Sequence, residues 1–259
     1  MPRRPMGEVK EKKSSNSAAM NLQTQLRKCV RTYPQWRFAP PRVQLKRPMR
    51  HFGTEYGGYS VDESLIHKGA VVYSIGIGED ISFDLSLIDQ FGVEIQAFDP
   101  TPKVKKWLAS QKLPAQFHFH ELGIADFDGE ALFHLPPRED WVSHSMIPAR
   151  QYSQECIRFP VTRLSTAMQR FRHTQIDLLK MDIEGAEYAV IADMVREQIP
   201  VQQLLIEFHH RLSAFGTKET KQALSRLEAS GMRIAHVCPR YEIFTFIKSV
   251  GTEVPGLQI

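Results

Sequence analysis

Short apolar runs alternate with amphipathic segments from residue 70 to about residue 230 of the chain, a pattern typical of strands alternating with helices. Strands are predicted at Ala70–Ile75, Glu94–Phe98, Phe117–Leu122, Ile176–Met181 and Leu204–Phe208, with a short edge strand at Ala131–Leu135. Five helices are predicted. The first carries Ile81, Leu85 and Ile88 on one face, and the third runs from an N-cap at Ser165 to about Phe171. The others span Lys103–Ser110, Ala186–Arg196 and Lys218–Ala229, the last of which ends before Gly231. This alternation predicts a parallel sheet.

The end of the chain follows a different pattern. Two apolar runs, Arg233–Cys238 and Tyr241–Ile247, are separated by only a few residues. Parallel strands need a connection of about a dozen residues or more, so these two strands must pair as an antiparallel hairpin. The predicted fold class is therefore α/β. We expect a Rossmann-like methyltransferase fold, with a mainly parallel seven-stranded sheet, an antiparallel C-terminal hairpin and helices on both faces.

Composition divides the chain into three parts. Residues 1–20 are rich in Lys, Arg, Ser and Glu and lack apolar content, which predicts a disordered basic tail. Residues 21–50 place aromatic residues and prolines among basic residues, and we expect them to form an arm that packs on the domain. Residues 51–259 form the predicted methyltransferase domain.

Charge, cysteine content and apolar runs indicate the cellular compartment of the protein. The formal net charge is only +4, and much of it lies in the basic tail. The three cysteines are widely spaced and form no metal-ligand pattern, which favours a reducing compartment. There is no apolar run of about eighteen residues, as a membrane span requires, and no apolar stretch behind the N-terminal charges. We therefore expect a cytoplasmic protein that does not cross a membrane.

A glycine turn follows the first strand of the alternating pattern. Gly76 and Gly78 lie in the run Tyr73–Asp80, where glycines let the backbone approach a ligand at the carboxyl edge of the sheet. Ile81 occupies the place of the third glycine in a dinucleotide fingerprint, which argues against NAD and FAD. Asp99 ends the second strand about twenty residues later, where a carboxylate can bind both hydroxyls of a ribose. The alternative to cofactor binding is that the glycines only allow a tightly packed turn and that Asp99 is an ordinary turn residue.

Ionisable residues follow the fourth and fifth strands. Asp182 is expected to face the site, whereas Glu184 and Glu187 complement the N-terminus of the next helix and Glu187 is structural. Alternation along the fifth strand directs Glu207 and His209 to the same side and His210 away from it. His209 is the preferred general base, with Asp182 and Glu207 as the other catalytic candidates; the alternative is a structural histidine at the rim. A metal site at Asp182, Glu207 and His209 is conceivable, but no short ligand spacing supports it, and no metal is expected.

Four runs together resemble the FkbM-type methyltransferases, and most of all their methyltransferase-like members. These runs are Val72–Gly78, Phe98–Thr101, Lys180–Glu187 and Glu207–His209. The resemblance covers roughly residues 51–248, and the run Lys180–Glu187, with the sequence KMDIEGAE, is its most specific part. It implies an O-methyltransferase that uses S-adenosylmethionine and acts on hydroxyls of sugars or other small molecules.

The resemblance also assigns residues to the cofactor. Gly76, Gly78 and Asp99 would hold it, and Gly123 and Ile124 would border the adenine. Ser74 and Glu79 are also expected to bind the cofactor. Ser74 stands where many members carry an acidic residue that binds the methionine end, so Glu79 or Asp80 is expected to compensate. Two other functions stay open. The basic, aromatic segment 36–50 could guide RNA, although nucleic acid is not the expected partner, and the fold could serve as a binding module without catalysis.

Overall fold

The computed structural model describes residues 40–138 and 141–249. The predicted tail and most of the predicted arm lie outside these residues. In chain order the strands are β1 (Arg50–Phe52), β2 (Tyr59–Val61), β3 (Val71–Ile75), β4 (Glu94–Phe98), β5 (Phe117–His120), β6 (Gly123–Ala125), β7 (Gly129–His134), β8 (Cys156–Arg163), β9 (Ile176–Met181), β10 (Val201–Glu207), β11 (Met232–Val237) and β12 (Ile243–Lys248). The α-helices are α1 (Ser82–Phe91), α2 (Pro102–Leu108), α3 (Leu164–Phe171), α4 (Glu187–Arg196) and α5 (Thr217–Ala229), with a 3-10 turn at Glu63–Leu65.

The main sheet has seven strands in the order β11-β12-β10-β9-β3-β4-β5. Strands β5, β4, β3, β9 and β10 run parallel, while β12 is antiparallel to both β10 and β11. This arrangement confirms the predicted sheet and its C-terminal hairpin. The strand order reverses between β3 and β9, because β4 lies on one side of β3 and β9 on the other. In open α/β sheets, ligands bind at the carboxyl edge beside such a reversal.

The core lies on both faces of the sheet. On β3, Tyr73 and Ile75 join the cluster that packs under α3, α4 and α5. Val72 points the other way and joins the cluster formed with the β1–β2 hairpin, α1 and α2. Burial on both faces explains why β3, with the sequence VVYSI, reads as a nearly continuous apolar run.

A second sheet, with the order β6-β8-β7, was only partly predicted. The expected edge strand exists, but β7 pairs antiparallel with β8 and does not extend the main sheet. Strand β8 was not predicted. It contains Pro160, which disfavours a strand assignment, and its first three residues are exposed, so its apolar pattern is weak.

Two helix details differ from the sequence prediction. The buried face of α1 consists of Phe83, Asp84, Leu87 and Ile88, and Ile81 precedes the helix instead of lying on its inner face. Ser165 lies inside α3, whose N-cap is Arg163. The carboxylate of Asp128 accepts hydrogen bonds from the start of this helix, so the capping group comes from a distant loop.

The described part of the arm touches the domain at two places. The amides of Gln44 and Leu45 donate to the carbonyl of Ile234 at 2.7 and 3.0 Å. Arg47 Nε donates to the buried carboxylate of Asp62 at 2.5 Å. No helix within the described part of the chain is long and apolar enough to cross a membrane.

Candidate active site

A cavity of about 680 Å³ lies at the carboxyl edge of the main sheet, at the reversal of strand order. It collects nearly all of the predicted site residues, which come from the ends of β3, β4, β9 and β10 and from β6. The predicted residues that line it are Gly76, Gly78, Glu79, Asp99, Gly123, Ile124, Asp182, Glu207 and His209. Ser74 is the exception.

The glycine turn is tightly packed on one side and open on the other. Gly76 has φ = +71° and Gly78 has φ = +55°, a region that favours glycine. A Cβ on Gly76 would overlap the carbonyl oxygen of Asp182, whereas a Cβ on Gly78 would come no closer than 3.7 Å to Val142. Gly76 therefore serves packing, and Gly78 faces the space available to a ligand.

Asp99 connects the glycine turn to the end of β4. Its Oδ2 accepts the amide of Gly78 at 3.1 Å, and its Oδ1 accepts the amide of Thr101 at 2.9 Å. Burial raises the pKa of Asp99, while these hydrogen bonds act in the opposite direction. A carboxylate oxygen can accept more than one hydrogen bond, so Asp99 keeps acceptor capacity for a ligand.

The expectation that Ser74 binds the cofactor is wrong. Ser74 is fully buried and points with Val72 toward α1, where its hydroxyl lies beside Asp84 without an aligned hydrogen bond. Burial raises the pKa of Asp84 to about 6. Of the two residues expected to compensate, Asp80 accepts hydrogen bonds from Thr54 Oγ1 at 2.6 Å and from the Ser82 amide at 2.9 Å. Glu79 is exposed at the cavity.

The opposite side of the cavity concentrates negative charge around His209. The Nε2 atom of His209 lies 3.5 Å from Asp182 Oδ1 and 3.3 Å from Glu184 Oε2. Its Nδ1 atom lies 3.4 Å from Oε1 of Glu187, which is fully buried. Glu187 also accepts the amides of His209 and Gly185, both at 2.8 Å, and this agrees with the structural role expected for it.

This charge bears on the general-base role predicted for His209. Burial by itself would lower its pKa, but Glu187, Glu184 and Asp182 outweigh that effect and raise the pKa to about 10. An imidazole with a raised pKa is mostly protonated at neutral pH, where it is a poor proton acceptor. This arrangement of charges therefore favours a carboxylate of the cavity over His209 as the general base.

Glu207 and His210 follow the predicted alternation. Glu207 lines the cavity and lies 3.6 Å from Arg211 Nη2, and burial and the charge of Asp182 raise its pKa to about 7. His210 does not line the cavity, and burial lowers its pKa to about 4.

Comparison with known proteins agrees with this architecture. The model of the methyltransferase FkbM domain matches residues 74–234, which is more than half of the chain. The chain belongs to the FkbM methyltransferase family.

Two curated relatives of this FkbM chain carry the same description, probable methyltransferase-like protein 24. The human protein is 26% identical over 189 residues, which is 69% of this chain and 45% of the relative. The rat protein is 28% identical over 182 residues, which is 65% of this chain and 43% of the relative. The chain thus spans less than half the length of these relatives.

Two solved structures also match this chain. The FkbM methyltransferase of Methylobacillus flagellatus has a TM-score of 0.43 at 13% identity and covers 69% of this chain and 43% of that one. The fibrillarin of Aeropyrum pernix, solved with natively bound S-adenosyl-L-methionine, has a TM-score of 0.36 at 12% identity and covers 80% of this chain and 84% of that one.

Three cavity residues of this FkbM domain escaped the sequence analysis. Glu184 was assigned to the helix terminus, but φ = +50° at this residue directs its side chain into the cavity, where Tyr152 donates to Oε2 at 2.9 Å. Lys180 lies inside an apolar strand, and its Nζ donates to the carbonyls of Ile75 and Gly76. The lysine in this otherwise apolar run was the available signal, whereas Tyr152 lies in a segment without a diagnostic pattern.

Proposed function

We propose that this chain is an S-adenosylmethionine-dependent O-methyltransferase that acts on a hydroxyl of a small molecule or sugar. The proposal depends on one observation: the glycine turn with Asp99, and the carboxylates Asp182 and Glu207, line the same cavity of about 680 Å³. That volume lies within the range of about 300–1,000 Å³ that is usual for ligand sites. If the cofactor binds on one side of the cavity and the acceptor on the other, the protein holds their reacting atoms next to each other.

The cofactor side is proposed to bind the nucleoside through Asp99 and the open face of Gly78. Asp99 is 6% exposed and already fixed by two backbone amides, so its carboxylate is preorganised for the ribose hydroxyls. Gly123 and Ile124 line the same cavity and are proposed to border the adenine. Glu79, the exposed carboxylate of the glycine turn, is proposed to bind the ammonium group at the methionine end.

The reaction is a displacement in line with the breaking bond. A lone pair of the acceptor oxygen attacks the methyl carbon, and the new C–O bond forms as the bond from methyl to sulfur breaks. The electron pair of that bond returns to sulfur, which leaves S-adenosylhomocysteine. We assign the hydroxyl proton to the Glu207 carboxylate, because Glu207 lines the cavity and burial with the charge of Asp182 raises its pKa to about 7, close to neutral pH. Positioning of the reactants is the main contribution of the protein.

Calorimetric titration of the full chain tests this proposal. S-adenosylhomocysteine should bind and raise the melting temperature, since a ligand that binds only the folded state stabilises it. NAD is the matched control and should do neither, because the turn lacks a third glycine. Methyl transfer from labelled S-adenosylmethionine to hydroxyl compounds then tests the reaction. Binding of NAD without any response to S-adenosylhomocysteine would overturn the proposal.

A further inference from the structure

Three side chains in the acidic half of the cavity form a cluster with the composition of a metal site. Asp182, Glu184 and His209 each direct one potential ligand atom to the same place, and these atoms lie within 4.8 Å of one another. The distances of His209 Nε2 to the two carboxylate oxygens are 3.5 and 3.3 Å. Ligand atoms that occupy adjacent positions on an octahedral cation, each at about 2.1–2.5 Å from it, lie about 3–3.5 Å apart.

The histidine provides an independent observation. His209 is 5% exposed, its Nδ1 has no aligned hydrogen-bond partner, and its Nε2 points between the carboxylate oxygens of Asp182 and Glu184. Two carboxylates that converge on one imidazole nitrogen can hold either the proton of that nitrogen or a cation. A divalent cation that bound there would displace the proton, because a histidine ligand must be neutral.

The residues around the cluster support the same interpretation. Glu187 is fully buried, fixed by two backbone amides, and lies behind the ring at 3.4 Å from Nδ1. Metal-binding histidines usually present their other nitrogen to such a carboxylate, which orients the ring. On the other side, Tyr152 donates to Glu184 Oε2 at 2.9 Å, and Ser145 donates to the Glu184 carbonyl at 2.5 Å. The carboxylates of Glu184 and Glu187, on opposite sides of the imidazole ring, are thus each held by partners of their own.

We propose that Asp182, Glu184 and His209 bind a divalent cation of the Mn²⁺ type at the acceptor side of the cavity. Two carboxylates and one imidazole form a mixed, oxygen-rich set that suits a hard divalent ion with octahedral geometry. Three protein ligands leave about three positions for water or for oxygens of the acceptor. The role of the ion rests on the proposed function: it would bind the acceptor hydroxyl and make that hydroxyl easier to deprotonate. The binding itself does not depend on methyl transfer.

The proposal replaces two expectations from the sequence, namely that no metal binds and that Glu207 would be the third ligand if one did. Glu207 lines the same cavity but is not part of the cluster. Its glutamine variant is therefore a matched control, because it removes an equally placed carboxylate without changing the assigned ligands.

Binding of Mn²⁺ to the full chain, after treatment with a chelator, is measured by loss of the free-ion electron paramagnetic resonance signal. We expect about one ion per chain. Glu184→Gln and His209→Gln should weaken binding by at least about tenfold, a loss typical even of changes behind the ligands. Glu207→Gln should bind like the parent chain, and circular dichroism with thermal unfolding shows that each variant is folded.

The assignment would be overturned if the parent chain did not bind Mn²⁺ stoichiometrically, or if it bound only Zn²⁺. It would also be overturned if Glu207→Gln lost Mn²⁺ binding while Glu184→Gln retained it. Because the measurement needs neither cofactor nor acceptor, a failure of metal binding leaves the methyltransferase proposal intact. A protein that binds Mn²⁺ but transfers no methyl group would leave the metal site intact.

Discussion

The backbone of Gly76 packs directly against the carbonyl of Asp182, so closely that a single carbon added to Gly76 would overlap the carbonyl oxygen. The amide of Asp182 in turn donates to the carbonyl of Ile75 at 3.1 Å. The turn that would hold the cofactor is therefore in contact with the turn that carries the acidic residues. The two halves of the cavity are held together by backbone contacts, and their separation does not depend on flexible side chains.

Replacement of Gly76 by alanine should be strongly destabilising. The variant Gly76→Ala combines a left-handed residue at φ = +71° with an overlap against a backbone atom, which cannot move aside cheaply. Gly92→Ala is the matched control, because Gly92 has φ = +63° and no atom within 4 Å of the added carbon. The conformation alone costs about 1–2 kcal/mol. In urea unfolding, Gly76→Ala should lose clearly more stability than Gly92→Ala, and equal losses would contradict the packing argument.

Replacement of Asp99 by alanine should weaken the binding of S-adenosylhomocysteine. A hydrogen bond to a charged group contributes roughly 1.5–3 kcal/mol, so the affinity should fall about tenfold or more. Asp126→Ala, a change at an exposed aspartate outside the cavity, should leave the affinity unchanged. The measurement is calorimetric titration. Unchanged affinity in folded Asp99→Ala would remove Asp99 from the cofactor site.

The variant Glu207→Gln tests the assignment of the proton acceptor. It keeps the size of the side chain but removes its basic carboxylate, so the maximal rate should fall by about 10²–10⁴-fold. The affinity for S-adenosylhomocysteine should stay the same, because Glu207 is not among the residues assigned to the cofactor. A normal rate in Glu207→Gln together with an inactive Asp182→Asn that still binds Mn²⁺ would move the role to Asp182.

His209 should remain protonated well above neutral pH in the chelator-treated protein. Its pKa of about 10 lies above the ordinary histidine value of about 6.5. The stability contributed by the protonated ring is therefore complete below about pH 6.5 and is lost as the pH rises toward about 10. Nitrogen-15 NMR at pH 8 should show that both ring nitrogens of His209 are protonated. The signals of His209 are identified as those missing from the spectrum of His209→Gln. A neutral ring at pH 8 would contradict the effect assigned to the three carboxylates.

Asp128 should stabilise the protein only while it is ionised. It accepts hydrogen bonds from Thr162 Oγ1 at 2.7 Å, the Arg163 amide at 2.9 Å and Thr166 Oγ1 at 2.9 Å, and these lower its pKa. A lowered pKa means that the contribution is present above about pH 3.9 and is lost as the pH falls through the folded-state value. Asp128→Asn should lower the melting temperature by about 2–4 °C at pH 7, with a smaller difference at pH 3.

The exposed Asp126 of the same loop provides the control for that measurement. Asp126→Asn should leave the melting temperature nearly unchanged at both pH values, because changes at exposed sites without special contacts have small effects. An equal loss in the two variants would attribute the effect to loop charge and not to the hydrogen bonds at the start of α3.

The sequence alone determined the main sheet and the positions of most residues of the candidate site. A strand buried on both faces, such as β3, has a nearly continuous apolar run, and the short separation of the last two strands permits only a hairpin. The ends of the parallel strands meet at one edge, so Gly76, Asp99 and Asp182 could be placed together from their positions alone. These inferences depend on periodicity and chain length, which are local properties.

Only the tertiary structure decided the second sheet, the burial of Ser74 against α1 and the capping of α3 by Asp128. It also decided the chemistry of the acidic half. The left-handed backbone at Glu184 brings that carboxylate beside His209, and Glu187 closes the other side of the ring. Protonation and ligand geometry depend on distances between atoms that are remote in the chain, and no pattern along the sequence encodes those distances.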